Sequence, residues 1–201
     1  MDFSLGECIS MKIAECSRNC SKHIRKILED TMSWFHSYYA LSCIDSGLCR
    51  AVIAYEDGVS GVGVFYTIPR LSIGVIYYVA VLSKFRGRGT GKAIVVTIEE
   101  LLSYEGVDVF MATTRSSNLA SRNMLRDLGY IEVMLSNLAN EVEDLITMMT
   151  CGYEDDVLYV KLNSMNLNEF FRIIAHPGSI NVIEDTWRKV CYGPWAKLRK
   201  H

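Results

Sequence analysis

A short basic, glycine-rich stretch contains the residues whose types and spacing could do chemistry. Its residues are Arg86, Gly87, Arg88, Gly89, Thr90, Gly91 and Lys92. Glycine lets the backbone turn sharply and leaves no Cβ between the amides and a ligand. A helix that begins here would add unpaired N–H groups and the positive end of its dipole. The stretch therefore predicts a loop that holds a pyrophosphate group, to which the two arginines and Lys92 add positive charge.

Two common glycine loops do not fit this stretch. A P-loop has a glycine, four other residues and then Gly-Lys-Ser/Thr. Here Arg86 stands at the first glycine, and Ala93 replaces the hydroxyl that would bind magnesium. The dinucleotide-binding fingerprint needs two residues between its second and third glycines, and only Thr90 lies between Gly89 and Gly91. Both classes of nucleotide site are excluded.

The elements around the loop have to position it. An apolar β-type run, Ile73 to Leu82, leads into it, and Lys92 to Tyr104 follows with apolar residues at helical spacing. Val107 to Thr113 is a further β-type run. Strand, helix and strand at this spacing imply a right-handed crossover and parallel pairing.

A second pattern follows downstream, in the predicted helix from Asn118 to Tyr130. Two neighbouring stripes run along this helix. Ala120, Met124 and Leu128 are predicted to form its core stripe. The stripe beside it consists of Asn118, Ser121 or Arg122, and Leu125.

Together the two patterns resemble the GNAT superfamily of N-acetyltransferases. The loop is similar to the family signature Arg/Gln-x-x-Gly-x-Gly/Ala, and the helix to Asn-x-x-Ala/Ser-x-x-x-Tyr/Leu-x-x-x-Gly-Phe/Tyr. The resemblance covers about residues 10 to 162. It implies an α+β fold in which helices cover both faces of a central sheet, giving the three layers typical of α/β proteins. Its mixed, mostly antiparallel central sheet is flanked by helices and has a splayed parallel pair at the acetyl-CoA site.

The resemblance also implies which residues bind acetyl-CoA. Backbone of the strand end would hold the pantetheine arm and thioester, and loop amides would hold the pyrophosphate. The implied residues are Val79, Ala80, Val81, Leu82, Arg86, Gly87, Arg88, Gly89, Thr90, Gly91, Lys92, Asn118, Ser121 and Arg122.

Acetyl transfer to an amine needs a proton acceptor, an oxyanion donor and stabilisation of the leaving thiolate. Backbone N–H of Val81 or Leu82 would polarise the thioester carbonyl. The tyrosine that protonates the thiolate in many family members is Leu125 here, which cannot donate a proton.

No general base is identified from the sequence. The predicted strand Ile73 to Val81 contains no glutamate, and Glu56 and Asp57 are expected to be solvated on a hairpin turn. Tyrosines 66, 77 and 78 are candidate donors or water-holders, although strand tyrosines are usually packing residues.

We expect an acetyl-CoA-dependent N-acetyltransferase whose amine acceptor, a protein N-terminus, a lysine or a small molecule, attacks directly in a ternary complex. The alternative is a catalytically inactive acyl-CoA-binding sensor or interaction module. The chain has 201 residues and a net formal charge of −2, so neither membrane nor nucleic-acid binding is expected. No signal peptide is apparent, and a cytoplasmic location is expected.

The seven cysteines are odd in number and scattered, which favours reduced thiols in an intracellular protein, the alternative being a disulfide. Cys16, Cys20 and His23, with Cys8, could supply zinc ligands. Their spacing matches no common zinc module, so no metal is expected.

The rest of the chain has weaker signals. Residues 1–163 are expected to form the acetyltransferase domain, with an edge strand near Met11–Glu15 and a helix capped by Ser17 or Asn19. Aromatic residues between 34 and 39 are expected to pack on the sheet, the alternative being that they line an acceptor pocket. Residues 164–201 are expected to form a helical extension that packs on the domain or on a second subunit, so a homodimer is one option.

Overall fold

The structure, a computed structural model, describes residues 11–16 and 20–200. The helix cap predicted at Ser17 or Asn19 lies outside these residues, and so does Cys8. No helix within the described ranges is long and apolar enough to cross a bilayer.

Strands and helices alternate through most of the chain. The strands are β1 (Lys12–Glu15), β2 (Arg50–Glu56), β3 (Gly58–Ile68), β4 (Ile73–Val81), β5 (Val109–Thr114), β6 (Ile131–Met134) and β7 (Val157–Leu162). The helices are α1 (Ser21–Thr31), α2 (Trp34–Asp45), α3 (Thr90–Tyr104), α4 (Leu119–Asp127), α5 (Asn140–Thr150), α6 (Leu167–Ile174), α7 (Pro177–Trp187) and α8 (Gly193–Leu198).

The strands form one seven-stranded sheet in the order β1-β2-β3-β4-β5-β7-β6. Neighbouring strands are antiparallel except for β4 and β5, which are parallel. The helix α3 connects β4 to β5, and their parallel pairing is the one that the spacing of strand, helix and strand predicted. The predicted fold class is confirmed.

The parallel pair is short. Only Ile73–Val75 of β4 pair with Val109–Met111 of β5. From there β5 continues along β7 as far as Thr114, whereas β4 continues along β3 alone. The register between β3 and β4 shifts at Tyr77, which leaves this residue without a partner on β3. A β-bulge of this kind bends a strand and increases its twist, so β4 turns away from β5 and a gap opens between them.

Helices cover both faces of the sheet. On one face, α3 and α4 bury apolar side chains such as Ile94 and Ile98 against β2, β3 and β5. On the other face, α1, α2, α5, α6 and α7 bury a second set that includes Ile24, Ile146 and Phe170. Successive side chains of a strand point to opposite faces, so the central strands supply both cores. This is the predicted three-layer arrangement.

The predicted core stripe of α4 is wrong. Leu125 is the buried residue of this helix, whereas Ala120 is exposed and Met124 and Leu128 are half-buried. The two stripes lie side by side on one short helix. Which of them faces the core depends on how the helix is rolled against α3, and the spacing of apolar residues does not contain that information.

The aromatic residues near 34–39 lie on α2, and the expectation that they pack on the sheet is only partly correct. Tyr39 is buried, whereas the side chains of Trp34 and Phe35 are exposed. The hydroxyl of Tyr38 donates to the carbonyl of Pro194, 3.1 Å away. The C-terminal helices therefore contact α2, and Ile174, with other residues of α6 and α7, lies in the same core as α1.

The expectation of reduced thiols is wrong for the described cysteines. Disulfides join Cys16 to Cys20, Cys43 to Cys49, and Cys151 to Cys191. The Cα atoms of the three pairs are 5.9, 5.1 and 5.8 Å apart, within the range that a bridge requires. The number and spacing of the cysteines did not indicate these pairs, because the fold brings together residues as distant in sequence as 151 and 191. Within residues 11–16 and 20–200, no cluster of His, Cys, Asp and Glu is arranged to hold a metal ion.

The Cys151–Cys191 disulfide should contribute measurably to stability, because it closes a 40-residue separation and ties the C-terminal helices to α5. Loop-closure entropy for a bridge of this length predicts that Cys151→Ala lowers the free energy of unfolding by about 2–4 kcal/mol. Chemical denaturation measures it. Cys191→Ala should have the same effect, and the double variant should lose little more than either single one. Losses that add in the double variant would contradict a shared bridge.

Candidate functional site

The gap between β4 and β5 exposes backbone groups of β4 in the middle of the sheet. Leu82 N–H donates to the carbonyl of Ser60, 2.9 Å away. In an antiparallel pair, residues bonded to the partner strand alternate with residues whose N–H and C=O point away from it. Ala80 therefore faces β3, and the N–H groups of Val79 and Val81 face the gap. Because the amide of Leu82 is already bonded, the expectation that it could serve as an oxyanion donor is corrected in favour of Val81.

The glycine loop begins where β4 ends. A 3-10 turn, Ser83–Phe85, follows the strand, and Phe85 anchors the loop in the core. Gly87 and Gly89 have φ values of +77° and +86°, which side chains rarely adopt, and a Cβ at either position would meet open space. Gly89 is the N-cap of α3 and provides no side chain to cap it. The first N–H groups of a fifteen-residue helix thus open toward the loop.

Glu56, at the end of β2, supports the loop from below. Thr90, which is buried, donates its hydroxyl to Glu56 Oε1 at 2.6 Å. Arg88 Nη1 lies 3.9 Å from the other carboxylate oxygen, and only 7% of the Glu56 side chain is exposed. The expectation of a solvated turn is therefore wrong for Glu56, although Asp57 is exposed. The hairpin turn lies directly beside the start of α3. The sequence does not indicate this contact, because the two segments are 34 residues apart.

The three basic side chains of the loop each have a partner within the chain. Arg86 Nε donates to the carbonyl of Val81 at 3.0 Å, which holds the loop against the strand end. Lys92 Nζ lies 2.6 Å from Asp127 of α4. The side chains remain exposed, so they line the loop with positive charge. Ion pairs at such exposed positions contribute little to stability and exchange readily.

The start of α4 is held to the end of β5. Asn118 caps the helix by accepting the N–H of Ser121 at 3.2 Å, and its amide donates to Thr114 Oγ1. Arg122 Nη2 donates to Glu132 Oε1 at 2.6 Å. This bond holds the pKa of Glu132 below its ordinary value. The predicted residues Asn118, Ser121 and Arg122 therefore lie together beside the gap, with the Arg122 guanidinium bonded to β6.

Leu125 lies on the buried side of α4, where it packs with the α3 core. No proton donor occupies this position.

Two stacked tyrosines stand at the bulge of β4. The rings of Tyr77 and Tyr78 are 4.1 Å apart, and Tyr66 packs edge-on against Tyr77. Tyr66 donates its hydroxyl to the carbonyl of Met149. Burial raises the pKa of Tyr77 and Tyr78 well above the ordinary value for tyrosine. Both hydroxyls stay protonated at neutral pH, so they can donate hydrogen bonds but cannot act as bases.

His36 of α2 lies beside these two tyrosines, and no sequence pattern pointed to it as a site residue. Its ring packs edge-on against Tyr78, with 5.5 Å between ring centroids. Its Nδ1 is 2.7 Å from Ser33 Oγ. Burial and the charge of Arg115 lower the pKa of His36, while Asp155 opposes them. The only sequence signal was a histidine among aromatic residues, which does not indicate what it faces.

Asp155 and Arg115 come from the far side of the gap, before β7 and after β5. Asp155 accepts the hydroxyl of Thr113 at 2.7 Å. Arg115 pairs with Glu154. Within the described parts of the chain, no cationic side chain lies within 4 Å of the Asp155 carboxylate. The opening of the gap near α2 therefore has a negative group available, whereas the opening near α3 is basic.

Three comparisons place this architecture among known proteins. The sequence model described as the acetyltransferase (GNAT) family matches residues 20–130. No curated protein has a matching sequence. Solved structures do match, with low identity.

The matching structures include a Staphylococcus aureus acetyltransferase of the GNAT family, with a TM-score of 0.61 and 11% identity, covering 76% of this chain and 99% of its own. The Escherichia coli ribosomal-protein-S18-alanine N-acetyltransferase has a TM-score of 0.57 and 15% identity, and the match covers 78% of this chain and 96% of the Escherichia coli chain. Escherichia coli YhbS, solved in complex with CoA, has a TM-score of 0.58 and 14% identity, covering 81% and 85%.

The bond between Thr90 and Glu56 should stabilise the fold, because removing it leaves a buried carboxylate without its donor. We expect Thr90→Val to lower the free energy of unfolding by about 1–3 kcal/mol. Thr97→Val is the matched control. Its hydroxyl bonds to the carbonyl of Ala93 within the same helix, so its loss should stay below about 0.5 kcal/mol. Equal losses in chemical denaturation would show that the Glu56 bond contributes nothing.

Proposed function

The chain belongs to the acetyltransferase (GNAT) family, and from this premise we propose that it is an acyltransferase that transfers the acetyl group of acetyl-CoA to a primary amine. The acceptor attacks the thioester directly in a ternary complex, without an acyl-enzyme.

One observation carries this proposal: the unpaired edge of β4 runs directly into the glycine loop. The N–H groups of Val79 and Val81 face the gap, and the uncapped start of α3 follows within ten residues. An extended chain that ends in a pyrophosphate fits this order of groups, because the strand edge can bond its amides and the helix N-terminus favours its negative charge. The CoA complex of YhbS, a protein of the same fold, supports this ligand.

The proposed acetyl-CoA contacts follow the loop, the strand end and the start of α4. They are Val79, Ala80, Val81, Arg86, Gly87, Arg88, Gly89, Thr90, Gly91, Lys92, Asn118, Ser121 and Arg122. Leu82 follows directly after β4, and its amide is not among the proposed contacts because it is bonded to Ser60. Thr90 acts through its backbone, because its hydroxyl is bonded to Glu56.

The residues of the gap account for the polar requirements of the reaction. The N–H of Val81, or of Val79, stabilises the oxyanion that forms when the amine attacks the carbonyl carbon. The C–S bond then breaks. Since Leu125 cannot protonate the thiolate, we propose that the proton comes from water or from the ammonium of the nascent product.

The acceptor is proposed to enter from the side of α2 and to be a primary amine. Most alkylamines are cations at neutral pH. At that opening, Asp155 offers a carboxylate that accepts the Thr113 hydroxyl but forms no ion pair within residues 11–16 and 20–200. A protein N-terminus, a lysine and a small-molecule amine all satisfy this chemistry. One protein of the same fold acts on a ribosomal-protein alanine, so peptides with a free N-terminus belong among the acceptors to be tested.

A second candidate is an acyl-CoA-binding sensor or interaction module without catalysis. The burial of Leu125 in the core and the absence of a carboxylate from β4 favour it. Both candidates require acetyl-CoA binding, and only the transferase requires turnover.

Acetyl-CoA binding should depend on Gly89. We expect calorimetry to detect binding to the natural protein and none to Gly89→Glu, because the new carboxylate would stand in the anion site. Gly106→Glu is the matched control, since Gly106 has a similar φ of +82° and an open Cβ position just beyond the other end of α3. It should bind acetyl-CoA as the natural protein does. No binding to the natural protein would contradict both candidate functions.

Turnover should release a thiol. We expect CoA release from acetyl-CoA with at least one member of a panel of amino acids, polyamines, aminoglycosides and short peptides with free N-termini. Tight acetyl-CoA binding with no release above the acceptor-free rate, for any member, would favour the sensor.

A further inference from the structure

We propose that His36 is the general base of the reaction and takes the proton from the acceptor ammonium, with Ser33 holding its imidazole ring. This inference deepens the proposed function and rests on it.

The position of His36 supports this role. Its ring contacts Tyr78, which lies in the part of β4 that no longer pairs with β5. On the opposite side, Asp155 and Arg115 are near enough to act on the charge of His36. Asp155 also acts on Tyr78. His36 thus contacts the β4 side of the gap through Tyr78 and lies within electrostatic reach of two residues from its other side. Tyr78 immediately precedes Val79, whose N–H faces the proposed thioester.

The contact with Ser33 is compatible with the tautomer that a base at Nε2 requires. A neutral imidazole has a proton on one nitrogen and a lone pair on the other. When Nδ1–H donates to Ser33 Oγ, 2.7 Å away, the lone pair lies on Nε2. That nitrogen is not bonded within the described parts of the chain, so it is available to an amine. Ser33 therefore acts as a positioning residue, and His36 as the catalytic one.

Burial first, and then the charge of Arg115, lower the pKa of His36 and favour its neutral form. Arg115, from the loop after β5, opposes a positive charge on the ring, and Asp155, from the loop before β7, favours one. With burial, the net effect places the pKa of His36 below its ordinary value of 6.5. The neighbouring Tyr78 stays protonated at neutral pH. At neutral pH, His36 can therefore accept a proton, whereas the tyrosines beside it cannot, because they are already protonated.

The proton balance of the step is simple. R–NH3⁺ gives one proton to Nε2 of His36, which becomes an imidazolium, and the neutral amine nitrogen attacks the thioester carbonyl carbon. The C–N bond forms and the C–S bond breaks. A second proton from the former amine nitrogen neutralises the thiolate, directly or through water. His36 then releases its proton to solvent, so acetyl-CoA and the ammonium yield amide, CoA and one proton.

A purely structural histidine, packed in the aromatic cluster of α2, would affect every acceptor equally. The test therefore compares two amines in the thiol-release assay. One is the primary alkylamine of the panel with the highest turnover, which is protonated at neutral pH. The other is hydroxylamine, which is largely unprotonated at that pH and needs no base to begin the attack.

His36→Asn keeps a side chain that can bond to Ser33 and removes the base. We expect it to lower kcat/KM for the alkylamine by about 100-fold or more at pH 7. The loss should shrink as the pH approaches the pKa of the amine. Activity with hydroxylamine should stay within a few-fold of the natural protein. His23→Asn, on the exposed face of α1, is the matched control and should leave both rates unchanged.

Three outcomes would overturn the proposal: equal losses for the two amines, no loss for either, or a loss confined to the alkylamine that appears in Asp155→Asn and not in His36→Asn. A second measurement does not depend on turnover. Nitrogen NMR of the imidazole at pH 7 should show a proton on Nδ1 and none on Nε2 of His36. The opposite tautomer would refute the base even if no amine in the panel were acetylated, a result that would count separately against the proposed function.

Discussion

The site depends on the early end of pairing between β4 and β5. A strand in the middle of a sheet normally bonds on both sides, because buried N–H and C=O groups without partners are costly. Here β4 loses its second partner after Val75. The bulge at Tyr77 turns it away, while β5 stays fixed along β7. The rest of the sheet and both helical layers flank this gap, so a ligand that bonded to the free edge of β4 would find its partners already in place.

The two ends of the gap differ in charge, and this difference separates the two substrates of the proposed reaction. At one end, the glycine loop and the start of α3 provide N–H groups and basic side chains suited to an anion. The loop is fixed by Phe85 in the core and by Thr90 on Glu56. At the other end, Asp155 offers negative charge and His36 a lone pair. The pyrophosphate would therefore stay at the glycine loop, while the thioester of acetyl-CoA and the ammonium would reach the gap from opposite sides and meet near Val79 and Val81.

The side of the gap proposed to face the acceptor, called the acceptor side, is built from parts distant in sequence. α2 supplies His36, and the turn before β7 supplies Asp155. The C-terminal helices support both parts. Tyr38 of α2 bonds to Pro194, the ring of Trp187 donates to Tyr153, and the Cys151–Cys191 disulfide ties α5 to this region. Residues beyond 164 thus contribute to the geometry of the acceptor side, although they contain no recognisable motif.

The sequence by itself determined the features that short-range chemistry encodes. Glycines at 87, 89 and 91 indicated the anion loop, and two of them, Gly87 and Gly89, have a positive φ that residues with a Cβ rarely adopt. The helix after Asn118 predicted the ligand class. The order of strands and helices then determined the sheet.

Only the tertiary structure decided which groups face which. It buried Glu56 beneath Thr90 and turned Leu125 inward in place of Ala120. It also bonded the amide of Leu82, paired the cysteines and brought His36 to Tyr78. The physical reason is that these outcomes depend on the roll of a helix, the phase of strand hydrogen bonds and contacts between residues far apart in the sequence, such as His36 and Tyr78 or Cys151 and Cys191. Spacing along the chain does not specify any of them.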